Sequence, residues 1–194
     1  ENEIMANASC VDMFKNKKNL KIIKFNNFNT SLTTNMSNMF YRCTKLANLD
    51  LTAFNTEKVT DMSRMFYECS SLTELDFSSF NTEKVTDMSY MFSDCYALTS
   101  LNVSHFNTSN ATAMIAMFAY CESLSTIDIS NFDTRAMTDS SKLRRIFRKS
   151  GINNITVGTN FMQDYNMPTA GNENGIFFAS NSTPLTVVGA NNVL

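Results

Sequence analysis

Glycine and proline are missing from the first 150 residues of this 194-residue chain, and all five glycines and both prolines follow Ser150. Their absence excludes a glycine-rich phosphate loop from that region. There is no tryptophan and only one histidine, His105. No apolar run approaches the ~18 residues of a membrane-spanning helix, and the chain does not open on a basic segment followed by an apolar one. The sequence therefore predicts a body without a membrane span, and it suggests a piece of a longer precursor.

The charge of the chain argues against a second class of function, nucleic-acid binding. The net charge is −2, and Lys, Arg, Asp and Glu are interspersed along the chain. Nucleic acid as a main partner needs a concentrated basic face, so this class of function is not expected. The exception is the cluster Arg144, Arg145, Arg148 and Lys149, which is interpreted as a solvated convex surface.

What the chain does have is a fixed period. Cys43, Cys69, Cys95 and Cys121 recur at one constant interval, and a ladder of phenylalanines keeps the same step: Phe28, Phe54, Phe80, Phe106 and Phe132. A unit of about 26 residues cannot close a hydrophobic core alone and must bury its apolar face against neighbouring copies. The chain is therefore predicted to be a repeat protein.

Each unit contains two patterns. Leu72, Leu75 and Phe77 alternate as the inward positions of a short strand. Met62, Met65, Phe66 and Cys69 follow the i, i+3, i+4, i+7 spacing of one or two helical turns. One strand and one short helical segment in about 26 residues are typical of leucine-rich repeats, so the predicted fold is a right-handed α/β solenoid with parallel strands on its concave face and short helical or 3₁₀ segments on its convex face.

Six strand cores can be counted, and the last step is longer than the others because of an insertion within residues 140–150. Residues 1–158 are predicted to form the solenoid, and residues 159–194 a degenerate final repeat and cap of the same domain. Ile176–Phe178 is the predicted last helical turn, and Leu185, Val187 and Val188 belong to the predicted last strand. The strand cores are Leu20/Ile23/Phe25, Leu46/Leu49/Leu51, Leu72/Leu75/Phe77, Leu98/Leu101/Val103, Leu124/Ile127/Ile129 and Ile152/Ile155/Val157.

Sulfur is abundant, with five cysteines and 13 methionines. Cysteines in equivalent convex positions are predicted to lie too far apart for the ~7 Å that a disulfide allows between Cα atoms, so buried free thiols are expected. The spacing lacks the paired cysteines of a structural zinc site. A thioether and thiol column for copper(I) is an alternative, but these residues lie on the stripe that must face the core.

Side chains at the outward strand positions of the concave face are not expected to pack in the core, and they are the predicted partner-binding residues. Calcium binding by the acidic members is a weaker alternative to a solvated polar surface. The predicted site consists of Lys24, Asn48, Asp50, Glu74, Asp76, Ser100, Asn102, Thr126 and Asp128.

A polar pair follows each phenylalanine of the ladder, for example Asn55 with Thr56 and Asn81 with Thr82. These pairs are predicted to satisfy backbone groups at the turn that leaves the strand. A sugar-binding track of amides is the alternative. His105 has no plausible nucleophile beside it, and Cys95 belongs to the opposite side of the unit, so no catalytic residues are predicted and the chain is not expected to be an enzyme.

The run M-F-x-x-C-x-x-L-x-x-L-x-Φ-S-x-F-[ND]-T recurs in four copies between Met39 and Thr134, with Thr52 in place of the serine in the first copy and Ile127 in place of the second leucine in the fourth. It resembles the BspA-like leucine-rich-repeat family of bacterial surface proteins over about three quarters of the chain. The resemblance implies an exported or lipid-anchored protein that acts in adhesion or protein binding. The fifth unit departs from the pattern because no matching cysteine follows Phe147.

These observations lead to one functional hypothesis and one alternative. The hypothesis is a non-catalytic, monomeric cell-surface module that needs no cofactor and binds a protein or glycan, such as host matrix or mucus, through its concave face, with Tyr41 and Tyr67 as further convex contacts. The alternative is a calcium-binding or architectural spacer domain of a larger surface protein.

Overall fold

The computed structural model describes residues 4–161 and the strand Thr186–Gly189. This part of the chain is almost entirely non-helical. Its strands are short; they are β1 (Ile4–Met5), β2 (Ile22–Ile23), β3 (Phe28–Asn29), β4 (Asn48–Leu49), β5 (Thr126–Ile129), β6 (Asn154–Val157) and β7 (Thr186–Gly189). They pair in parallel: β1 pairs with β3, β2 with β4, β5 with β6, and β6 with β7.

Equivalent residues of successive repeats lie side by side. A ladder of parallel bridges joins Ser9, Asn35, Asp61, Asp87 and Ala113, each one sequence period after the last. The strands β2 and β4 pair in the same way, because Ile23 lies opposite Leu49, which is also one period away. Parallel pairing at the sequence period means that each repeat forms hydrogen bonds with its two neighbours in the chain. The predicted repeat organisation is therefore present.

The predicted strands are only partly formed. Residues 72–77 and 98–103 are not assigned as strand, although Leu75, Phe77, Leu101 and Val103 are buried and the residues between them are exposed, as predicted. At the other end, β6 pairs with β7 in the register Ile155 to Val187. The predicted last strand is therefore present, whereas the predicted helical turn at residues 176–178 lies outside the described residues.

The predicted helical segments are turns in the described repeats. We call these six segments the turn face; they are residues 10–16, 36–43, 62–69, 88–95, 114–121 and 143–150. Within residues 36–43, alternate amides bond locally, as Tyr41 N–H does to the carbonyl of Asn38 at 3.0 Å. The amides between them bond to the next repeat, as Phe40 N–H does to Met65 at 2.9 Å. An α-helix would use all of its amides internally, so this pattern replaces helix with a stack of turns.

Residues whose backbone adopts the left-handed conformation, with positive φ, make these turns possible. Two positions four residues apart have positive φ in each segment, such as Asn38 (55°) and Arg42 (58°). Successive turns still place Met36, Met39, Phe40 and Cys43 in the core with 0% exposure. The helical spacing of the apolar residues is thus satisfied without a helix. The one 3₁₀ helix of the described residues is Ser140–Lys142, inside the predicted insertion.

Aromatic rings run through the whole core. One phenylalanine from each turn segment stacks on the next, with centroids 5.4 to 5.8 Å apart and planes within 10° of parallel. Such pairs contribute about 0.5–1.5 kcal/mol each beyond the burial of their area. The stack consists of Phe14, Phe40, Phe66, Phe92, Phe118 and Phe147.

A buried threonine column connects the repeats beside this core. The Thr56 hydroxyl donates to the carbonyl of Asn81 at 2.9 Å and accepts from its amide at 2.8 Å. Thr82 makes the same pair of bonds to Asn107, at 3.0 and 2.8 Å. The asparagine side chains cap the same turn, as Asn55 Oδ1 accepts from the amide of Glu57 at 3.0 Å. These bonds confirm that the Asn–Thr pairs satisfy backbone groups.

Candidate interaction surfaces

All nine predicted partner-binding residues are exposed. We call the outward positions of the strand cores the strand face. Asn48 lies on β4, and Thr126 and Asp128 lie on β5. The strand face also contains Ile22, which the sequence prediction omitted. Ile22 pairs with Asn48 and is 56% exposed. Ile22 was omitted because it is hydrophobic, and hydrophobic residues were expected in the core. The repeat period could have identified it, since Ile22 precedes Asn48 by one period.

Four of the nine residues also have a structural role. Oδ1 of Asp50, Asp76, Asn102 and Asp128 accepts the backbone amide two residues later, at 3.0, 2.8, 3.2 and 2.9 Å respectively. This is an Asx turn, which directs the chain out of the strand face. Hydrogen bonds from Thr52 and Ser78 lower the pKa of Asp50 and Asp76 respectively. These four side chains therefore serve the fold as well as the surface.

The single histidine is engaged elsewhere. His105 Nε2 lies 2.9 Å from the carbonyl oxygen of Phe77, and the ring packs edge-on against Phe106. Cys95 is fully buried, and its thiol donates to the carbonyl of Phe66 at 3.2 Å. The two side chains thus contact different backbone carbonyls, and the structure does not pair them as a nucleophile and base.

The cysteine column is buried, as predicted, and all five thiols are free. Burial raises the pKa of Cys69 and Cys121, and it raises the pKa of Cys95 to about 12. A protonated buried thiol is a poor nucleophile and a poor metal ligand. The methionines of these segments, from Met36 to Met117, also have 0% exposure and fill the core. Within residues 4–161 no group of three or more His, Cys, Asp or Glu side chains is arranged to hold a metal ion.

Tyrosines form a cluster on the turn face. Tyr41 and Tyr67 are stacked with centroids 5.1 Å apart, and Tyr67 meets Tyr90 edge-on at 6.2 Å. Arg42 lies over the ring of Tyr41 at 5.1 Å and makes a two-pronged ion pair with Glu68, each bond 2.9 Å long. Tyrosine and arginine are the residues that most often dominate protein interfaces. The predicted convex pair Tyr41 and Tyr67 therefore belongs to a larger ordered cluster.

Charge is segregated by repeat, which corrects the interpretation that acidic and basic residues are interspersed. Residues 4–45 contain seven basic side chains and one acidic one, Asp12. Residues 46–139 contain thirteen acidic and four basic side chains, and residues 140–161 contain five basic and none acidic. Because repeats stack in chain order, these segments become separate basic, acidic and basic zones along the molecule.

Comparison with known proteins identifies a family. Residues 8–102 and 76–167 match the family described as "Mycoplasma protein of unknown function, DUF285". The two matches overlap and together extend over most of the described repeats. No curated protein and no solved structure matches the chain. None of the helices among the described residues has the length and hydrophobicity that crossing a bilayer needs.

Proposed function

The chain belongs to the DUF285 family, and from this premise we propose that it is a non-catalytic interaction module of a bacterial cell-surface protein. It binds a protein or glycan partner through the strand face. The observation that carries the proposal is the contrast between buried and exposed positions. The repeated Met, Phe, Cys and Leu positions from Met36 to Cys121 are largely buried, while nine polar side chains on the strand face are exposed, and one of their two columns, Asn48, Glu74, Ser100 and Thr126, changes at every repeat.

We propose that the stacked repeats form a right-handed solenoid of the BspA-like leucine-rich type, with the strand face concave. Its support is the regular register of parallel bridges from Ser9 to Ala113. A stacked array of this kind presents a continuous surface across several repeats, which suits a large partner. An experimental structure that showed a left-handed path or a convex strand face would contradict this proposal.

The absence of a catalytic role is also part of the proposal. It is supported by the bond of His105 to the carbonyl of Phe77 and by the burial of the thiols. Export and anchoring at the cell surface are proposed from the resemblance to BspA-like proteins. Protease treatment of intact cells should then remove the chain, and protection from the protease would contradict a surface location.

The strand face can be tested without disturbing its turns. Asp50→Asn, Asp76→Asn and Asp128→Asn together remove three charges but keep the Oδ1 acceptors, and Asn102 shows that asparagine makes the same bond. Immobilised protein would be exposed to a host matrix or mucin extract, and the captured material measured. We expect capture to fall by about tenfold when a partner contacts several of these groups.

A matched control separates the strand face from net charge. Glu57→Gln, Glu83→Gln and Glu122→Gln also remove three exposed acidic groups, at positions outside the strand columns. This variant should capture as much as the wild type. In a second comparison, Ser100→Trp places a bulky group on the strand face and Ser109→Trp places one elsewhere. Unchanged capture by both strand-face variants would rule out this surface.

A spacer function is the second candidate. It is favoured by the Asx turns, because Asp50, Asp76 and Asp128 are explained by the fold alone. A pure spacer would capture nothing in the wild-type form. A calcium-dependent version predicts a rise in melting temperature on adding calcium, and calorimetry with the intact chain would measure it.

A further inference from the structure

The strand face differs in character between its first repeat and the repeats that follow. In the first described repeat its outward residues are Ile22, which is 56% exposed, and the exposed Lys24. The residues that follow Ile22 in the same column are all polar or charged: Asn48, Glu74, Ser100, Thr126 and Asn154. Ile22 lies opposite Asn48 in the β2–β4 pair, so it belongs to this surface and not to the core. Covering its aliphatic side chain would remove apolar area from water, which favours association with another molecule.

The acidic side chains of the strand face form no ion pair with another described residue. The ion pairs of the described residues are Lys15 with Asp12, Arg42 with Glu68, and Arg135 with Asp133. On the strand face, hydrogen bonds from Ser78 lower the pKa of Asp76, whereas the nearby charge of Asp50 acts in the opposite direction. Like charges that lie this close repel one another. A cation from outside the described residues would therefore be attracted to this surface.

The charge and composition of the strand face favour a protein partner over a glycan. Glycans that carry carboxylate or sulfate groups would be repelled by Asp50, Glu74 and Asp76. Neutral sugar rings stack on flat aromatic side chains, and the described outward positions of the strand face contain no aromatic residue. Lysine and arginine side chains, in contrast, supply the positive charge that these carboxylates attract.

We propose that the partner of the strand face is an extended, cationic protein segment with an apolar side chain that packs on Ile22. The inference rests on the proposed function of this surface and names the chemistry of its partner. The parallel bridges step by one repeat each time, and neighbouring parallel strands lie ~4.8 Å apart, so Asp76 and Asp128 lie about 10 and about 19 Å from Ile22 along the stack. An extended chain advances about 3.3 Å per residue. The basic residues of the partner should therefore follow its apolar residue by about three and about six positions.

Synthetic peptides and the intact chain provide the test of charge. The first peptide begins with leucine and has arginine three and six positions later, and the second has glutamate in place of both arginines. In fluorescence anisotropy the first peptide should bind at least about tenfold more tightly than the second. Asp50→Asn, Asp76→Asn and Asp128→Asn together should weaken binding of the first peptide by about tenfold.

Two controls show whether the contact is local. Glu57→Gln, Glu83→Gln and Glu122→Gln together remove three exposed acidic groups elsewhere and should change the affinity by less than about twofold. Equal losses in both triple variants would mean general charge attraction and would overturn the inference.

The apolar contact is tested by changing both of its sides. Ile22→Ser should weaken binding of the leucine peptide by about threefold or more, but it should not change binding of a third peptide that has serine in place of leucine. Leu32→Ser is the control and should have no effect, because Leu32 is another aliphatic residue, 50% exposed, outside the strand columns. An equal effect of Ile22→Ser on the leucine and serine peptides would contradict a direct contact.

Treatment of the host matrix or mucin extract separates this inference from the proposed function. The extract would be treated before capture either with a protease or with periodate, which destroys sugars. Loss of capture after protease but not after periodate supports a protein partner. If the strand-face variants reduce capture and periodate alone abolishes it, the surface binds a glycan, so the proposed function stands and this inference falls. If the strand-face variants capture as much as the wild type, both fall.

Discussion

The thiol of Cys69 donates a hydrogen bond to the carbonyl oxygen of Phe40, in the preceding repeat, at 3.1 Å. The same bond recurs from Cys43 to Phe14, from Cys95 to Phe66 and from Cys121 to Phe92, at 3.0 to 3.2 Å. The cysteines therefore do more than fill space. Each one connects its repeat to the preceding repeat through a backbone carbonyl, which explains the recurrence of a thiol at this one position.

Thiol reactivity should follow this arrangement. In the native protein at pH 8, the buried and hydrogen-bonded Cys69, Cys95 and Cys121 should react with a thiol reagent only as fast as the chain unfolds. Cys10 lies in the first described repeat and contacts Thr33 Oγ1 at 3.6 Å instead of a phenylalanine carbonyl. Because its neighbours Val11 and Met13 are 39% and 38% exposed, Cys10 lies in a less densely packed segment that should open more readily, and it should be labelled first in a mass-spectrometric time course. Simultaneous labelling of all five thiols would contradict this order.

Alkaline pH should destabilise the fold through the same column. Burial raises the pKa of Cys95 from 9.0 to about 12. Between these values the unfolded chain loses the thiol proton and the native chain keeps it, so the native state binds more protons. The free energy of unfolding should therefore be unaffected by this group below pH 9 and should fall above it, by up to about 1.4 kcal/mol per pH unit.

Urea unfolding at pH 8, 9.5 and 11 would measure this slope. Cys95→Ala should be less stable at pH 8 but should lose less stability than the wild type as the pH rises. Parallel slopes for the two proteins would show that Cys95 does not carry the effect.

The sequence predicted the burial pattern well and the local structure of the turn face less well. Met36, Met39, Phe40 and Cys43 are buried as predicted, because any arrangement with that spacing must bury one stripe. The spacing does not distinguish a helix from consecutive turns. The difference depends on amides that bond to the next repeat, as Phe40 N–H does to Met65, and such a long-range contact cannot be seen within one segment.

The exposure of surface residues could also be predicted in part from the sequence. Exposure of Asp50 and Asp76 follows from alternation along a strand, and their Asx turns could have been predicted from the D-x-[ST] pattern. The buried Nε of Arg145, which has no hydrogen-bond partner among the described residues, could not be predicted, because the burial of one side-chain atom depends on how neighbouring repeats stack.

Loss of one hydroxyl from the threonine column should be costly. Thr82→Val keeps the shape of the side chain but removes the bonds to the amide and carbonyl of Asn107. Unsatisfied buried backbone groups should lower the free energy of unfolding by about 1–3 kcal/mol. Thr86→Val is the matched control, because Thr86 is exposed and its own amide still bonds to the carbonyl of Thr60 at 2.8 Å. Chemical denaturation of both variants should show a clear difference, and similar losses would contradict the role of burial.

Two alanines three residues apart offer the sharpest test of the left-handed turns. Ala116 has a φ of 52°, whereas Ala119 is not among the residues with positive φ, and both are buried, with exposures of 4% and 1%. Glycine adopts the left-handed region without steric cost, while alanine there is strained by about 1–2 kcal/mol. Ala119→Gly should therefore lower the free energy of unfolding by about 1 kcal/mol, and Ala116→Gly should leave it unchanged or raise it by up to about 1 kcal/mol. If this segment were helical in solution, both glycines would destabilise the protein alike, because both would lie inside a helix.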